Sequence, residues 1–575
     1  MSGAPAQAWL LGRAYFSRLL ESDLMPQGLP QAQLLIWSIS ALAAPALAVP
    51  MMIAHKYWHM TGQELLAGIA FDRLLLITLS LAVMGLVALA TWDGVLPDRR
   101  DVRTLSPLPI ATPTFVVARL GAMGALFALY LTGSGVLPTL LQAAMAAGFP
   151  ESTPFLRTLT AQLTAVFAAG AFGFFSLVLL QCGLFAVFGR RVVQRVSTAL
   201  QMLFTLALLL LVLLVPWFSG LTALGGRNAP PPVALAWLLP PVWFYALFDR
   251  LGGFTGATPP PLANVALASV LLTLVGSAVL YAASYRRMVA QALETPPPPR
   301  RRVRWLSRVE FLPSALRGTP IERAVCGFAL RTLARSRQHR LLLTIPIAMG
   351  AGVVLLVLFA DSRHAYAALY RPGPALGHVV FVMYFFTLGA MRLLFGIPLE
   401  PRANWAVRVR EPEDRVAVVL GARRALVMGG VLPLTLLSLV ITTLAWGALP
   451  AVRHAVFSFG MGFLLADVLT LNFRKIPFTC TYRPGSSGLR TRWPALIFAL
   501  SWYGYGVPVF EFSALRTPGR FAIALVAIAC ASMAISALRA YGLRQEPGLD
   551  FAEPDPEALF EGFHLSEGLA GNARP

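Results

Sequence analysis

Charge is scarce in this sequence. Only 13% of its 575 residues are Asp, Glu, Lys or Arg, whereas 57% are apolar. A soluble domain carries about 25% charged residues, so this composition excludes an ordinary soluble protein. The mean hydropathy is +0.68, and no segment is both polar enough and long enough to form a soluble domain of its own. The sequence therefore predicts an integral membrane protein.

Lysine is almost absent. Lys56 and Lys475 are the only lysines, and arginine supplies the rest of the basic charge behind the formal net charge of +21. That charge alone would suit a nucleic-acid partner, but the arginines lie in short loops between apolar runs. This distribution is typical of loops retained in the cytoplasm. We therefore expect a lipid bilayer around the protein and no nucleic acid as a partner.

Cysteines are few and far apart. The four of them form no CxxC pair, so the sequence indicates neither a zinc site nor a disulfide framework. Cys182 and Cys530 fall in apolar runs, where we expect them to be packing residues. His55 and His59 have the spacing of two metal ligands on one helical face, but no third ligand accompanies them. A position at the membrane interface is the favoured interpretation of these histidines.

The signatures of enzymes are also missing. The chain contains no GxxxxGK[ST], HExxH, GxSxG or EF-hand motif. The glycine-rich sequence at Gly485–Thr491 lacks the phosphate-binding lysine and follows no apolar strand. We therefore expect no enzyme activity, no catalytic residue, no metal and no cofactor in this chain.

What the chain has in abundance is long apolar runs. A membrane-spanning helix needs about 20 apolar residues, and about twelve runs qualify. Arginine is concentrated in alternate loops, which places both termini in the cytoplasm. The predicted fold is an all-α polytopic membrane protein of a bacterial plasma (inner) membrane, with about twelve transmembrane helices in two pseudo-symmetric six-helix halves. The predicted spans are Leu34–Ile53, Ile69–Trp92, Thr114–Leu137, Thr160–Phe188, Ser197–Trp217, Leu262–Ala283, Leu341–Ala360, Val379–Phe395, Leu426–Trp446, Val456–Leu471, Trp493–Phe510 and Phe521–Tyr541.

The polar stretches divide the chain into four parts. Residues 1–284 form the first half, with an amphipathic helix predicted within residues 8–29. Residues 285–340 form a basic, Pro- and Arg-rich cytoplasmic connector that ends in an amphipathic segment at Ile321–Arg340. Residues 341–541 form the second half, and residues 542–575 form an acidic cytoplasmic tail. Before the sixth span, the Pro-rich stretch Phe218–Pro261 has apolar pieces too short to cross, which suits re-entrant or interfacial segments.

One short loop stands out between the second and third spans. It reads WDGVLPDRRDVRTLSPLP, from Trp92 to Pro109. Its prolines allow a short helix from Asp98 to Ser106 and forbid its continuation. Val102 and Leu105 would lie on one side of that helix. The other sides carry the mixed charges of Asp98, Arg99, Arg100, Asp101 and Arg103.

The second half has a loop in the matching position, Gly396–Arg424. It also begins with prolines and then carries the exposed-loop residues Arg402, Trp405, Arg408 and Arg410. Because each loop follows the second span of its half, the two halves look like a repeat. Mixed charges at a short projecting tip favour a protein partner. The alternative interpretation is a solvated loop whose arginines serve only to retain it on the cytoplasmic side of the membrane.

This layout resembles the permease subunits of ABC-2 type exporters, over nearly the whole chain. The local phrases LPDRRDVRTLSPLP, LRTLARSRQHRLLL, EPRANWAVRV and RKIPFTCTYRPG also resemble those of bacterial permeases with two fused six-span halves. The chain departs from the pattern in two ways. A Pro-rich re-entrant stretch is clear only in the first half, and the second loop is longer than the first.

The resemblance implies a membrane-spanning subunit that couples ATP hydrolysis by separate ABC ATPase subunits, in two copies, to export of a substrate. ATP and magnesium would then bind to the partner subunit. The two loops would be coupling helices that contact it. The composition of the spans suits a hydrophobic substrate, as does that of every membrane bundle.

Two other classes stay open from the residues alone. An ion-gradient-driven secondary transporter needs ionisable residues along a central path, and Asp467 is the clearest acid inside a span. An acid at that depth indicates either a functional residue or an ion pair between helices. A membrane-bound lipid-modifying enzyme would need a cluster of His, Asp or Glu at one face, for which His55, His59 and His364 are the candidates.

Overall fold

The structure used here is a computed structural model. It describes residues 4–20, 62–97, 102–103, 109–147, 154–218, 236–253, 259, 261–294, 318–359, 374–397, 414–479, 499–500 and 502–545.

Nearly all of these residues are helical, and none of the described residues is in a β-strand. Ten helical segments in the described part of the chain are long and apolar enough to cross a membrane. Large apolar side chains cover their outer surfaces, with Leu444 83% exposed and Ile523 71% exposed. Apolar surface of this kind is stable in contact with lipid chains. The fold class is therefore that of an all-α multi-pass membrane protein, as the composition predicts.

The ten segments coincide with ten of the twelve predicted spans. The first predicted span, Leu34–Ile53, lies outside the described residues. The eleventh, Trp493–Phe510, is described only in part. The count of twelve and the layout in two equal halves stay predictions.

The chain divides into two compact units. The first comprises Met1–Arg300 with Ala351–Ser362, and the second comprises Arg301–Gly350 with Arg363–Pro575. The domain boundaries drawn from the sequence stay predictions. Of the predicted acidic tail, residues 542–545 belong to the last helix, and residues 546–575 lie outside the described residues.

The first unit contains six of the helices described here. They are α1 (Ala4–Leu20), α2 (Gly62–Ala90), α3 (Thr112–Ala147), α4 (Phe155–Leu213), α5 (Pro240–Gly252) and α6 (Pro261–Glu294). Single helical turns follow at Trp92–Val95 and Val215–Phe218. Helix α5 has 13 residues and is about 20 Å long, too short to cross a hydrocarbon core of about 30 Å. It lies in the stretch where the sequence predicts re-entrant segments.

Helix α4 contains the predicted reversal between two spans but not the predicted loop. The sequence predicts a loop with Arg190, Arg191 and Arg195 between two spans, whereas the structure has a helical run of 59 residues interrupted at Gly189. Contacts to the end of α2 and to the turn after it show that the chain reverses at this point. Gln181 before the break donates to the Trp92 carbonyl, and Gln201 after it donates to the Leu89 carbonyl. Gly189 has φ +71°, a conformation that glycine adopts without the strain of a side chain.

Helices α2 and α4 are in close backbone contact at Gly173. A Cβ atom added to Gly173 would overlap the backbone carbonyl oxygen of Leu81. Small residues at such positions let membrane helices pack with their backbones in close contact. We expect Gly173→Ala to destabilise the protein by about 1 to 3 kcal/mol, because the helices must separate to accept the methyl group.

Gly183 in the same helix is the matched control. A Cβ atom there would meet Leu280 at 3.9 Å, an ordinary contact distance. Gly183→Ala should be neutral or stabilising by up to about 1 kcal/mol, because alanine favours a helix. Thermal unfolding of both variants in one detergent measures the difference. Equal melting temperatures for the two variants would contradict the close packing at Gly173.

The second unit contains eight helices in the part that the structure describes. They are α7 (Pro320–Arg335), α8 (Arg337–Phe359), α9 (Pro374–Leu394), α10 (Arg415–Leu426), α11 (Leu432–Trp446), α12 (Ala448–Thr470), α13 (Val507–Leu515) and α14 (Pro518–Gln545). Of α8, the residues up to Gly350 belong to this unit. Turns of π-helix lie at Val427–Val431, between α10 and α11, and at Trp502–Gly506, before α13.

Two boundaries in this unit differ from the sequence prediction. The amphipathic segment predicted at Ile321–Arg340 is divided at Ser336, whose hydroxyl group contacts the His339 side chain at 2.7 Å and accepts from its backbone N–H. This side-chain cap lets a new helix begin at Arg337. The short helix α13 starts inside the eleventh predicted span, so a short helix precedes the last long helix in this unit too.

Cys530 also differs from its predicted packing role. Its side chain is exposed on α14, whereas Cys182 is buried. An apolar run does not by itself distinguish the side of a helix that faces lipid from the side that faces other helices.

Candidate functional site

The predicted coupling residues are only partly described. Asp98, Arg99, Arg100 and Asp101 lie outside the described residues, and so do Arg402, Trp405, Arg408 and Arg410. Within the first loop, Val102 is buried and Arg103 is exposed, which agrees with the predicted sides of the short helix. The described residues next to each loop show how the chain enters it. We call the segment Trp92–Pro97 the first root, and Phe395–Ile397 with Asp414 the second root.

An arginine from the third predicted span holds the first root. Arg119 of α3 donates to the Gly94 carbonyl from Nε at 3.2 Å and from Nη2 at 2.7 Å, and to the Leu96 carbonyl at 3.0 Å. Its guanidinium group also lies over the Tyr15 ring of α1, 4.8 Å from the ring centre. The side chain is 5% exposed. Arg119 lies near the start of a predicted span, from which an arginine can reach the interface, but the structure buries it against loop carbonyls that need donors.

Helix α4 holds the same root from another side. Gln181 donates to the Trp92 carbonyl at 2.7 Å, and Nη1 of Arg190 donates to the Pro97 carbonyl at 3.1 Å. Leu19 of α1 packs in the same hydrophobic cluster as Trp92. Side chains from α1, α3 and α4 therefore surround the turn that enters the first loop.

The second root is held by backbone and imidazole groups. His339 of α8 contacts the Ile397 carbonyl through Nε2 at 3.1 Å, and since a carbonyl only accepts, Nε2 carries the proton. The Phe478 N–H donates to the Phe395 carbonyl at 2.8 Å. At the other end of the loop, Asp414 accepts from the Ala417 N–H at 2.9 Å and caps α10.

The amphipathic helix α7 packs against α10 beside the second root. Arg424 Nε lies 2.7 Å from the Glu322 carboxylate, and Cys326 belongs to the cluster that includes Ala422 and Leu426. Burial raises the pKa of the Cys326 thiol to about 11, and the smaller effect of Arg424 lowers it. The thiol is therefore uncharged at neutral pH, as a packing residue should be.

Asp467 lies in a buried polar cluster that joins three helices. Its Oδ1 accepts from Arg423 of α10 at 2.8 Å and from Arg539 of α14 at 3.0 Å. Its Oδ2 accepts from the Ser532 hydroxyl group at 2.5 Å. The Asp467 side chain is fully buried, and that of Arg539 is 1% exposed. The structure thus shows the ion pair between helices that the sequence leaves as one of two interpretations, while a role of Asp467 in transport stays a prediction.

Sequence reasoning did not find the partners of these groups. The sequence places Arg423 in a loop and gives no reason to single out Arg539. Arg392 lies near a predicted span end, where an arginine pairs with an acid of another helix or reaches the interface. In the structure it donates to the Leu469 carbonyl at 2.9 Å and lies over the Phe473 ring. The only signal in the sequence is an arginine inside an apolar helical run, which gives no information about its partner.

A second buried polar group in this unit was also missed. Nδ1 of His454 in α12 lies 2.7 Å from the Glu511 carboxylate of α13, and its Nε2 lies 3.1 Å from the Ser438 hydroxyl group. The three histidines that the sequence offers as candidates for an enzyme site, His55, His59 and His364, lie outside the described residues. Among the residues the structure does describe, no group of three or more His, Cys, Asp or Glu side chains is placed to hold a metal.

The fold and these polar clusters define the class as a multi-pass helical membrane protein whose spans are tied together by buried arginines. No family model, no curated protein and no solved structure matches the chain.

Proposed function

We propose that the chain is the membrane-spanning subunit of an ABC-2 type exporter, driven by two copies of a separate ATPase subunit that binds ATP and magnesium. The two loops lie on the cytoplasmic side of the membrane, and they form the contacts with the ATPase. The observation that carries this proposal is the construction of the two roots. In each unit, an amphipathic helix packs beside the turn that enters the loop, and groups from other parts of the same unit form hydrogen bonds with the turn's carbonyl groups.

This construction suits the transmission of force. A flexible loop would absorb a displacement of its tip, whereas the first root is hydrogen-bonded to α3 and α4 through Arg119, Gln181 and Arg190. Moving Trp92–Pro97 therefore moves those helices or breaks several hydrogen bonds to a buried turn, at a cost of about 0.5–1.5 kcal/mol for each neutral bond and more for charged donors.

The decisive experiment reverses two charges at the tip of the first loop. Arg99→Glu combined with Arg100→Glu should abolish co-purification of the ATPase while the permease still inserts in the membrane. The change replaces two positive charges by two negative ones at the proposed contact. Acidic groups of the ATPase that would pair with the arginines would then face like charges, which weakens association. Co-expression of the chain with the ATPase, followed by affinity purification and quantification of both subunits, measures it.

Arg286→Glu with Arg287→Glu is the matched control. These two arginines are also adjacent, are exposed at the end of α6, and give the same change in net charge. The control should retain the ATPase. If the Arg99 and Arg100 variant retains it equally well, or if the isolated protein transports in liposomes with an ion gradient and no ATP, the proposal is wrong.

A further inference from the structure

The second unit contains a cavity of about 210 Å³ at one end of its helices. It lies between the connection from α11 to α12 at Gly447 and the connection from α13 to α14 at Arg516. His454 lies 13 residues before Asp467 on α12, about 20 Å along the helix axis. The cavity and the Asp467 cluster are therefore separate sites at opposite ends of the same helix.

Most of the cavity wall is apolar. Leu449 in this wall is 64% exposed and Phe512 is 36% exposed, so the wall continues onto the outer apolar surface of α12 and α13. Tryptophan and arginine at the ends of spans belong to the interfacial layer of the membrane, and Trp446 ends α11. A cavity at this level opens where lipid headgroups lie. Its apolar lining consists of Trp446, Leu449, Pro450, Pro508, Phe512 and Leu515.

The charged lining is positive. Arg453 and Arg516 both line the cavity, and among the described residues neither guanidinium group is within ion-pair distance of a carboxylate. Arg516 is positioned by the Phe512 ring, with 5.2 Å between the guanidinium carbon and the ring centre. The hydrogen-bonded pair of His454 and Glu511 contributes at most one negative charge. The lining therefore keeps a positive charge in every protonation state of that pair.

We propose that this cavity binds one anionic amphiphile, with its acidic headgroup on Arg453 and Arg516 and its apolar chain against Phe512, Leu449 and Leu515. The volume is below the roughly 300–1,000 Å³ of sites that enclose a whole ligand. It therefore suits a headgroup and the start of a chain, with the rest of the chain in the surrounding lipid. The buried pair of His454 and Glu511 ties α12 to α13 and keeps the two walls of the cavity together.

The test uses the full-length protein, purified in detergent and stripped of lipid. It is titrated with dioleoylphosphatidylglycerol, with dioleoylphosphatidylcholine and with glycerol phosphate, and native mass spectrometry counts the bound molecules. We expect one phosphatidylglycerol to bind at least about tenfold more tightly than phosphatidylcholine. Both lipids carry a phosphate group to which guanidinium groups form charge-assisted bonds, but the choline cation of phosphatidylcholine would be repelled by the two arginines. Glycerol phosphate should bind much more weakly, because it has no apolar chain.

Three single variants complete the test. Arg453→Gln and Arg516→Gln should each weaken phosphatidylglycerol binding by about five- to tenfold, with unchanged melting temperatures in the absence of lipid. Arg520→Gln is the control, since Arg520 is exposed four residues beyond Arg516 and is not among the residues that line the cavity. Unchanged binding in both cavity variants, or equal binding of the two phospholipids, would overturn the proposal. Glycerol phosphate binding as tightly as phosphatidylglycerol would show a soluble anion as the ligand and would equally overturn it.

Discussion

Replacing Asp467 with asparagine is expected to destabilise the protein by about 3 to 5 kcal/mol. The substitution leaves Arg423 and Arg539 facing each other without the carboxylate that lies between them. Breaking a buried ion pair by removing one partner costs this much because the remaining charge stays buried and uncompensated. The loss should appear as a lower melting temperature in detergent and as a reduced yield of monodisperse protein.

A double variant separates the charge effect from a packing effect. Asp467→Asn with Arg539→Gln removes one positive charge together with the negative one, so we expect it to be more stable than Asp467→Asn alone. Asp414→Asn serves as the control, because asparagine caps a helix about as well as aspartate, and its effect should be within about 0.5 kcal/mol. If the effects of Asp467→Asn and Arg539→Gln simply add in the double variant, the two residues are not coupled as the structure indicates.

Replacing Arg119 with leucine is expected to loosen the first root by about 3 kcal/mol. The variant removes three hydrogen bonds from a buried guanidinium group and leaves the Gly94 and Leu96 carbonyls without that donor. Hydrogen bonds from charged donors contribute about 1.5–3 kcal/mol each, but the three share one side chain and are not additive. A change of about 3 kcal/mol corresponds to about a hundredfold in an equilibrium constant.

Hydrogen exchange localises that effect. The amides of Trp92–Leu96 should exchange up to about a hundredfold faster in Arg119→Leu, while amides of α11 and α12 in the other unit should be unaffected. Arg119→Lys keeps the charge but loses the planar fork of donors, so it should restore only part of the protection. Arg13→Leu, at an exposed arginine of α1, should change nothing measurable. Equal exchange in the Arg119→Leu variant and in the unmodified protein would show that the root does not depend on this side chain.

The long apolar runs were predictable because burial in lipid imposes a length and a composition on each helix. Ten predicted spans have helices of sufficient length in the described residues, since a run of about 20 apolar residues has few alternatives. The interruption at Gly189 was predicted as a loop with arginines, and it is a reversal within a helical run. A single glycine with positive φ makes that reversal, and the sequence pattern does not distinguish it from a short loop.

The site was less predictable than the fold. Asp467 stood out because a charge inside a span is costly, but its partners come from helices that begin 52 residues before it and 51 residues after it in the chain. Likewise, Glu511 lies one residue beyond the predicted end of the eleventh span, and His454 precedes the predicted start of its span. Their pairing depends on the approach of α12 and α13, which no local pattern describes.

The amino-acid sequence by itself determined that this chain crosses a membrane several times as helices, because apolar length and the distribution of arginine act locally along the chain. Only the tertiary structure decided which polar groups meet. It placed Arg119 on the carbonyls of the first root, Asp467 between two arginines, and two further arginines around an apolar cavity. The physical reason is that a buried charge must find its partner across helices, and that choice depends on packing distances of a few ångströms rather than on spacing in the sequence.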